Sequence, residues 1–228
     1  MKRLSAVVAG GILAASLVVQ AQAQVYSVNA VGYTKVDLSK GFSLISLPFN
    51  NVGGAAQSLD DAFGTNFIDS AAVYLYVPGT GYLVATYFAG FGWYDDSFQP
   101  CGTNKILRGE GFWVYSPSVT NVVLAGEVPG ASNATNSIGL VSGYQLVSFA
   151  YPVSLSLTNS GLTPSDSDMI LQSVGGTYQT ATYFAGFGWY DDSFNPVDVT
   201  LQVGKGYWYR SAAASPTPWV QTKPYSFP

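Results

Sequence analysis

The sequence predicts an all-β protein of two tandem domains, each resembling a β-sandwich or a small barrel, with at most short helices. Three observations predict this fold class. Short runs of β-branched and aromatic residues alternate with glycine and proline turns along the chain. A long, aromatic-rich stretch occurs twice, with almost no change. A single segment of the first half has the composition and length of a helix.

The repeated stretch is ATYFAGFGWYDDSFQP at residues 85–100, and it returns as ATYFAGFGWYDDSFNP at residues 181–196. The two copies differ only at Gln99 and Asn195. Each copy is dense in aromatic residues and has glycines where a backbone must bend or be approached closely. Such self-similarity predicts an internal duplication.

The first 23 residues have the pattern of a cleaved export signal. Lys2 and Arg3 precede an apolar run at 6–19, and Ala21 and Ala23 form a small-x-small cleavage site. The run is shorter than the roughly 20 residues that a membrane span requires. We therefore expect cleavage after Ala23, a secreted or cell-surface location, and no membrane insertion once the signal is removed.

The first predicted domain covers residues 24–128. Its predicted strands cover 25–36, 41–49, 71–77, 82–88, 109–115 and 121–128. The proline and glycines of 78–81 predict a hairpin between the third and fourth of these strands. A short helix is predicted over 55–63 and ended by Gly64.

The second predicted domain covers residues 140–228 and follows the same order. Its predicted strands at 143–149, 169–173, 178–184 and 204–208 correspond to strands of the first domain. The segment 129–139 is small and polar with no apolar period, and we expect it to be a linker.

Several of these strands carry a distinctive pattern. Residues 41–48 read GFSLISLP, residues 109–113 read GEGFW, and residues 204–208 read GKGYW. These motifs resemble the "GWNLISLP … GKGYWV" β-modules that recur in exported bacterial cell-surface and secreted proteins. The resemblance spans nearly the whole chain after the signal, and it implies an extracellular all-β domain without a defined chemistry. The second copy departs from the pattern at residues 150–152 and 209–210.

Composition and charge exclude several classes of partner. Removal of Lys2 and Arg3 would leave seven basic against thirteen acidic residues, a net charge of −6. A chain with this charge is a poor partner for nucleic acid. The single cysteine, Cys101, cannot form an intrachain disulfide, and its counterpart in the second half is Val197. We therefore expect a buried thiol, with a bridge between chains as the alternative.

The residues needed for catalysis are scarce. The chain has no histidine, which excludes Ser-His-Asp and Cys-His machinery and histidine-ligated metal sites. Adjacent carboxylates such as Asp95 and Asp96 would point to opposite faces of a strand, whereas a glycosidase needs two that face each other across a cleft. Asp95 and Asp191 could still meet from different loops, but an enzyme made of two copies of one loop is an unusual arrangement. We predict that the protein is not an enzyme and uses no cofactor, catalytic residue or metal.

Three hypotheses account for the repeated stretch. In the first, it is structural. Tyr87, Phe91 and Trp93 then share a core-facing strand face, and the aspartates cap a loop through backbone amides. In the second, each copy binds a glycan, with a flat ring for stacking and carboxylates for hydroxyl groups. That hypothesis requires exposed indole rings, and its ligand-binding residues are Trp93, Tyr94, Asp95, Asp96, Trp189, Tyr190, Asp191 and Asp192.

In the third hypothesis the stretch mediates self-association, either between the two halves or between chains.

Trp113 and Trp208, which follow Gly-x-Gly at matching places, are expected to be core anchors. From these observations we predict an exported, non-catalytic structural or adhesive protein that acts through contacts with itself or other surface proteins. The alternative is a carbohydrate-binding module with two repeated aromatic and acidic sites, whose partner is a polysaccharide.

Overall fold

The structure is a computed structural model that describes residues 30–54, 56–64, 67–130 and 133–226. The export signal predicted at residues 1–23 lies outside the described residues. Antiparallel strands dominate these ranges, and the regular helical elements are one short α-helix and one 3₁₀ turn. The prediction of an all-β fold is confirmed.

The first half contains nine of the strands that the structure describes. They are β1 (Val31–Leu38), β2 (Gly41–Ser46), β3 (Gln57–Ser58), β4 (Ala72–Val77), β5 (Gly81–Phe88), β6 (Gly92–Asp95), β7 (Lys105–Ile106), β8 (Gly111–Ser116) and β9 (Thr120–Glu127). Five of them form a sheet in the order β2-β8-β4-β5-β6, while β1 pairs with β9 and β3 pairs with β7.

The second half contains the other nine strands of the described chain. They are β10 (Thr135–Ile138), β11 (Gly143–Val147), β12 (Leu155–Ser156), β13 (Met169–Val174), β14 (Thr177–Phe184), β15 (Gly188–Tyr190), β16 (Thr200–Leu201), β17 (Tyr207–Ser211) and β18 (Trp219–Thr222). The sheet order is β11-β17-β13-β14-β15, and the two smaller pairs are β10 with β18 and β12 with β16.

Each strand of the second half has a counterpart in the first half that occupies the same position in its sheet. This match supports the predicted duplication, whereas the domain boundaries themselves stay a prediction. Within the segment expected to be a linker, residues 135–138 form β10 and pair with β18. The strand escaped detection because its residues are polar or half-exposed and its apolar partner, Trp219, lies far along the chain.

The single α-helix, α1 (Leu59–Phe63), is shorter than the predicted segment 55–63. Ser58 caps it by accepting a hydrogen bond from the backbone of Asp61, and the Asp61 carboxylate accepts one from the backbone of Ser58. This reciprocal capping box fixes the start of the helix at Leu59. Gly64 ends the helix at a φ of 69°, as predicted.

Each half has its own apolar core. Cys101 is buried in the first core, as expected for an inert thiol, and burial raises the pKa of that thiol. The second core includes a buried carboxylate, Asp168, which accepts hydrogen bonds from the Tyr209 hydroxyl and the Ala212 backbone N–H. The first half has alanine and valine at the corresponding positions, Ala71 and Val114. The two halves therefore share a strand order and differ in how their cores are filled.

The two halves meet through main-chain contacts made by the Gly-x-Gly motifs. Ser46 N–H donates to the Gly204 carbonyl over 3.1 Å, and Ser148 N–H donates to the Gly109 carbonyl over 2.7 Å. A Cβ placed on Gly206 would lie 2.8 Å from the carbonyl oxygen of Ile45 and 3.1 Å from the Cα of Gly111. These positions require glycine because backbone meets backbone there.

The side chain of Arg108 extends from the first half to residues of the second half. Its guanidinium donates to the carbonyl of Ala150 over 3.3 Å and lies 5.2 Å from the ring centre of Tyr151. Burial lowers the pKa of Arg108. The neighbouring Glu110 accepts a hydrogen bond from the backbone N–H of Leu107, and burial raises the pKa of its carboxyl. Charged groups of the first half are thus enclosed where the halves meet.

Candidate functional site

The repeated stretch divides into a buried part and an exposed part. Trp93 and Trp189 are only 2% and 6% exposed, and they lie in the cores of the first and second halves. Their strands place them opposite Tyr87 and Tyr183, on the face turned to the core. Neither indole is open to solvent, so the expectation of exposed tryptophan rings for glycan stacking is wrong.

The acidic residue that opens each loop has a structural role. Asp95 accepts hydrogen bonds from the backbone N–H groups of Ser97 and Gln99, both over 2.9 Å. Asp191 makes the same contacts with Ser193 and Asn195, and the N–H of Asn195 contributes most to lowering the pKa of Asp191. For Asp95 and Asp191, the loop-capping part of the structural hypothesis agrees with these contacts. Asp96 and Asp192 are exposed beside them.

The turn folds the chain back along the edge of its own sheet. The Asp95 N–H donates to the Gln99 carbonyl, and the Cys101 N–H donates to the Trp93 carbonyl. Asn195 and Val197 repeat this arrangement beside β15. The outer edge of each five-stranded sheet at this end is therefore covered by the residues that follow the turn.

The exposed part of each copy is a cluster of four aromatic rings. In the second copy, Phe184, Phe187, Tyr190 and Phe194 line one shallow groove and form the second cluster. The first cluster is defined by the same four positions, Phe88, Phe91, Tyr94 and Phe98, and its contacts of Phe88 with Tyr94 and Phe98 match those of Phe184 with Tyr190 and Phe194. Of these, Phe91, Phe98, Phe187 and Phe194 are between 72% and 79% exposed. The structural hypothesis placed Phe91 in the core, and that assignment is wrong because the residue lies at the tip of the β5–β6 turn.

The stacked pair of rings has the same geometry in the two clusters. Phe88 and Phe98 stack with 6.2 Å between ring centres and 25° between planes, while Phe184 and Phe194 have 6.1 Å and 28°. Phe98 and Phe194 adopt φ values of 55° and 59°. This region is unfavourable for a bulky side chain, so the turn holds each ring in place at an energetic cost.

A second aromatic surface lies on the outer face of the sheets, where the halves adjoin. This aromatic groove, of about 410 Å³, is lined by Phe42, Tyr74, Tyr82, Trp113 and Tyr178. Trp208 extends this groove, and its ring centre lies 4.9 Å from that of Tyr76. The Trp208 indole N–H donates a hydrogen bond to the Tyr178 hydroxyl over 3.3 Å. Trp113 and Trp208 are partly exposed rather than core anchors, since they lie on the outer face of β8 and β17.

Next to the aromatic groove is a polar groove of about 580 Å³ in the second half. Its lining includes three amide side chains, three carboxylates and the shared residue Tyr178: Gln172, Gln179, Gln202, Asp191, Asp192, Asp198 and Tyr178. It thus contains the predicted site residues Asp191 and Asp192. The equivalent wall of the first half has Leu75, Leu83 and Leu107 in place of the three glutamines, as the matching strand registers show.

Within the described ranges, no group of three or more Asp, Glu, Cys or His side chains is placed to hold a metal ion. The same part of the chain contains no helix long and apolar enough to cross a membrane.

Comparison with known proteins adds no family to this description. No protein-family model, curated protein sequence or solved structure matches the chain.

Sequence reasoning missed most of the residues that now stand out. It selected tryptophans, which are buried, over the phenylalanines at turn tips, which are exposed. The position of Phe91 between two glycines was the available signal of its exposure. Glycines on both sides indicate a turn, and a ring at a turn is not on the buried face of a strand. Tyr178 and Trp208 gave no comparable signal, since aromatic residues occur on both faces of their strands.

Proposed function

We propose that this protein is an exported, non-catalytic structural or adhesive component that associates with copies of itself through its two aromatic clusters. The observation that carries the proposal is the exposure of four phenylalanine rings at matching positions, held in the same geometry at two places on one molecule. Export rests on the signal-like pattern of residues 1–23.

Burial requirements do not account for the exposed phenylalanines. Exposed apolar patches of this kind mark interaction surfaces in soluble proteins. The exposed rings at 91 and 187, like those at 98 and 194, are phenylalanine in both copies. Two exposed apolar patches of the same composition favour a shared binding role for the two clusters.

A second copy of the chain is the partner that fits each cluster. The second cluster surrounds a shallow apolar groove of about 190 Å³, which has the size and chemistry to receive a ring from another molecule. A molecule with two equivalent sites can bind one neighbour at each site, and contacts that do not close on themselves produce open chains. Asp96 and Asp192 beside the clusters repel their counterparts, so the association should strengthen when salt screens them.

Sedimentation velocity over a range of protein concentrations tests the proposal with three proteins. Wild type is expected to form oligomers that grow with concentration and with ionic strength. Phe187→Ser, which disables one cluster, should stop at dimers, and the double variant Phe91→Ser, Phe187→Ser should remain monomeric.

Val119→Ser is the matched control, since Val119 is equally exposed and belongs to neither cluster. It should associate as wild type does. A wild type that stays monomeric at every concentration and salt level, or a double variant that still forms long oligomers, would contradict the proposal.

A further inference from the structure

We infer that the second half carries a binding site for a neutral polysaccharide, centred on Tyr178, where the aromatic groove and the polar groove meet. This site is separate from the two aromatic clusters and does not depend on their self-association. It also differs from the predicted glycan sites around Trp93 and Trp189, whose rings are buried.

Tyr178 lines both surfaces where β14 extends beyond its pairing with β15. It lines the aromatic groove together with Tyr82 and Trp113, and it lines the polar groove together with Gln179 and Asp192. Adjacent residues of a strand point to opposite faces, so the Tyr178 ring and the Gln179 amide lie on opposite sides of β14, and a bound chain would pass around this edge. The Tyr178 ring is exposed, and its hydroxyl is fixed by the Trp208 indole N–H at 3.3 Å. A held, open aromatic ring is a suitable surface for the C–H face of a sugar.

The polar groove supplies the hydrogen-bonding groups that the hydroxyl groups of a sugar require. Gln172 and Gln179 face each other across β13 and β14, and each amide can both donate and accept hydrogen bonds. Asp192 also lines this groove, is exposed and can accept hydrogen bonds from hydroxyl groups. Concave sites with a few placed polar groups beside apolar rings are typical of small-ligand binding.

Charge determines the class of ligand. The aromatic groove has no charged side chain in its lining, and the charged groups that line the polar groove are all carboxylates. An anionic polymer would be repelled by Asp191, Asp192 and Asp198, while a neutral chain of hexose units can use them as acceptors. The combined volume of the two grooves is sufficient for several sugar units.

The first half indicates that the glutamines are not needed for folding. At the positions of Gln172 and Gln179, the same scaffold carries Leu75 and Leu83, which pair across β4 and β5 in the same register. A leucine pair is thus compatible with this strand geometry. The change to an amide pair in one half alone produces a single glycan site rather than two.

The test measures tryptophan fluorescence and isothermal titration with three neutral hexasaccharides, cellohexaose, maltohexaose and mannohexaose, and with anionic oligogalacturonate. Trp208 contacts Tyr178 and serves as the optical reporter. Wild type should respond saturably to at least one neutral hexasaccharide and should not bind oligogalacturonate. Tyr178→Ala should weaken that affinity by about tenfold or more.

The double variant Gln172→Leu, Gln179→Leu places first-half residues on the second-half scaffold. It should keep the wild-type melting temperature and also lose affinity by about tenfold. Phe187→Ser, which alters an aromatic cluster, should bind the sugar as wild type does. This variant separates the two proposals, since it is designed to fail in association and not in sugar binding.

Three results would overturn the inference. The first is a wild type that gives no saturable response to any of the three neutral hexasaccharides. The second is unchanged affinity in both Tyr178→Ala and the glutamine double variant. The third is tighter binding of oligogalacturonate than of every neutral sugar.

Discussion

At the scale of single residues, the clearest difference between the halves is the pair formed by Asp168 and Tyr209. The buried carboxylate accepts from the tyrosine hydroxyl, from Ser211 and from the Ala212 backbone N–H. Burial, followed by this hydrogen bond to Asp168, raises the pKa of the Tyr209 hydroxyl well above its usual value. The bond therefore holds a proton on the tyrosine and keeps both groups satisfied in an apolar core.

Removing one partner of this pair should be costly. Asp168→Ala leaves the Tyr209 hydroxyl without its acceptor, and a buried unsatisfied polar group costs about 1–3 kcal/mol. Urea unfolding should therefore show a loss of at least this size. The double variant Asp168→Ala, Tyr209→Phe should lose less than the sum of the two single variants, because both remove the same bond. Strict additivity would contradict the coupling.

Residue types also explain why part of the site was unpredictable. The sequence correctly indicates an apolar environment for Cys101, whose counterpart is Val197, and the loop-capping role of Asp95. It does not indicate whether an aromatic residue is buried, because Trp93 and Tyr94 are neighbours on a strand that point to opposite sides. Exposure depends on which face the rest of the chain covers, and that information is not local.

At the scale of elements, long strands with turn signals could be predicted and short ones could not. β4 and β5 match their predicted ranges closely, because the alternating pattern and the turn at 78–81 specify them. The two-residue strands β3 and β7 exist through pairing with each other, at Gln57 with Ile106 and at Ser58 with Lys105. A pair so distant in sequence leaves no periodic pattern to read.

The Gly-x-Gly motifs are elements whose role became clear only in three dimensions. We expect Gly206→Ala to destabilise the protein by about 1–3 kcal/mol, the usual cost of overpacking, because the new methyl would press on the Ile45 carbonyl oxygen at 2.8 Å. Thermal and urea unfolding measure this loss.

Gly139→Ala is the control for that experiment. A Cβ placed on Gly139 would have no neighbouring atom within 4 Å, so alanine there should be close to neutral. If the two variants unfold alike, the close approach of the halves at Gly206 is contradicted.

At the scale of the whole molecule, Glu110, which lies where the two halves meet, makes the free energy of unfolding depend on pH. Burial raises the pKa of Glu110 above its ordinary value of 4.5, so the folded protein holds this proton more tightly than the unfolded chain does. As the pH rises above 4.5, the unfolded chain ionises first, and the contribution of Glu110 to the free energy of unfolding falls. The loss is complete once the pH exceeds the raised pKa of the folded state.

Glu110→Gln should therefore raise the melting temperature at neutral pH and have little effect below pH 4.5. Glutamine remains neutral and keeps an oxygen that accepts from the Leu107 N–H. Glu127→Gln changes the net charge equally and serves as the control at the far end of β9. A Glu110→Gln variant that is less stable than wild type at neutral pH would contradict the expected sign.

The covered sheet edges limit how copies of this protein can join in the proposed self-association. Beside β6 and β15, hydrogen-bonding groups of the edge strand are paired with residues 99–101 and 195–197 of the same chain. Where the two halves meet, Leu44 and Ser46 of β2 bond to Gly206 and Gly204. Fibre growth by adding strand to strand, as in amyloid, would first have to break these bonds. A polymer held together by side chains alone should therefore come apart on dilution and leave each subunit folded.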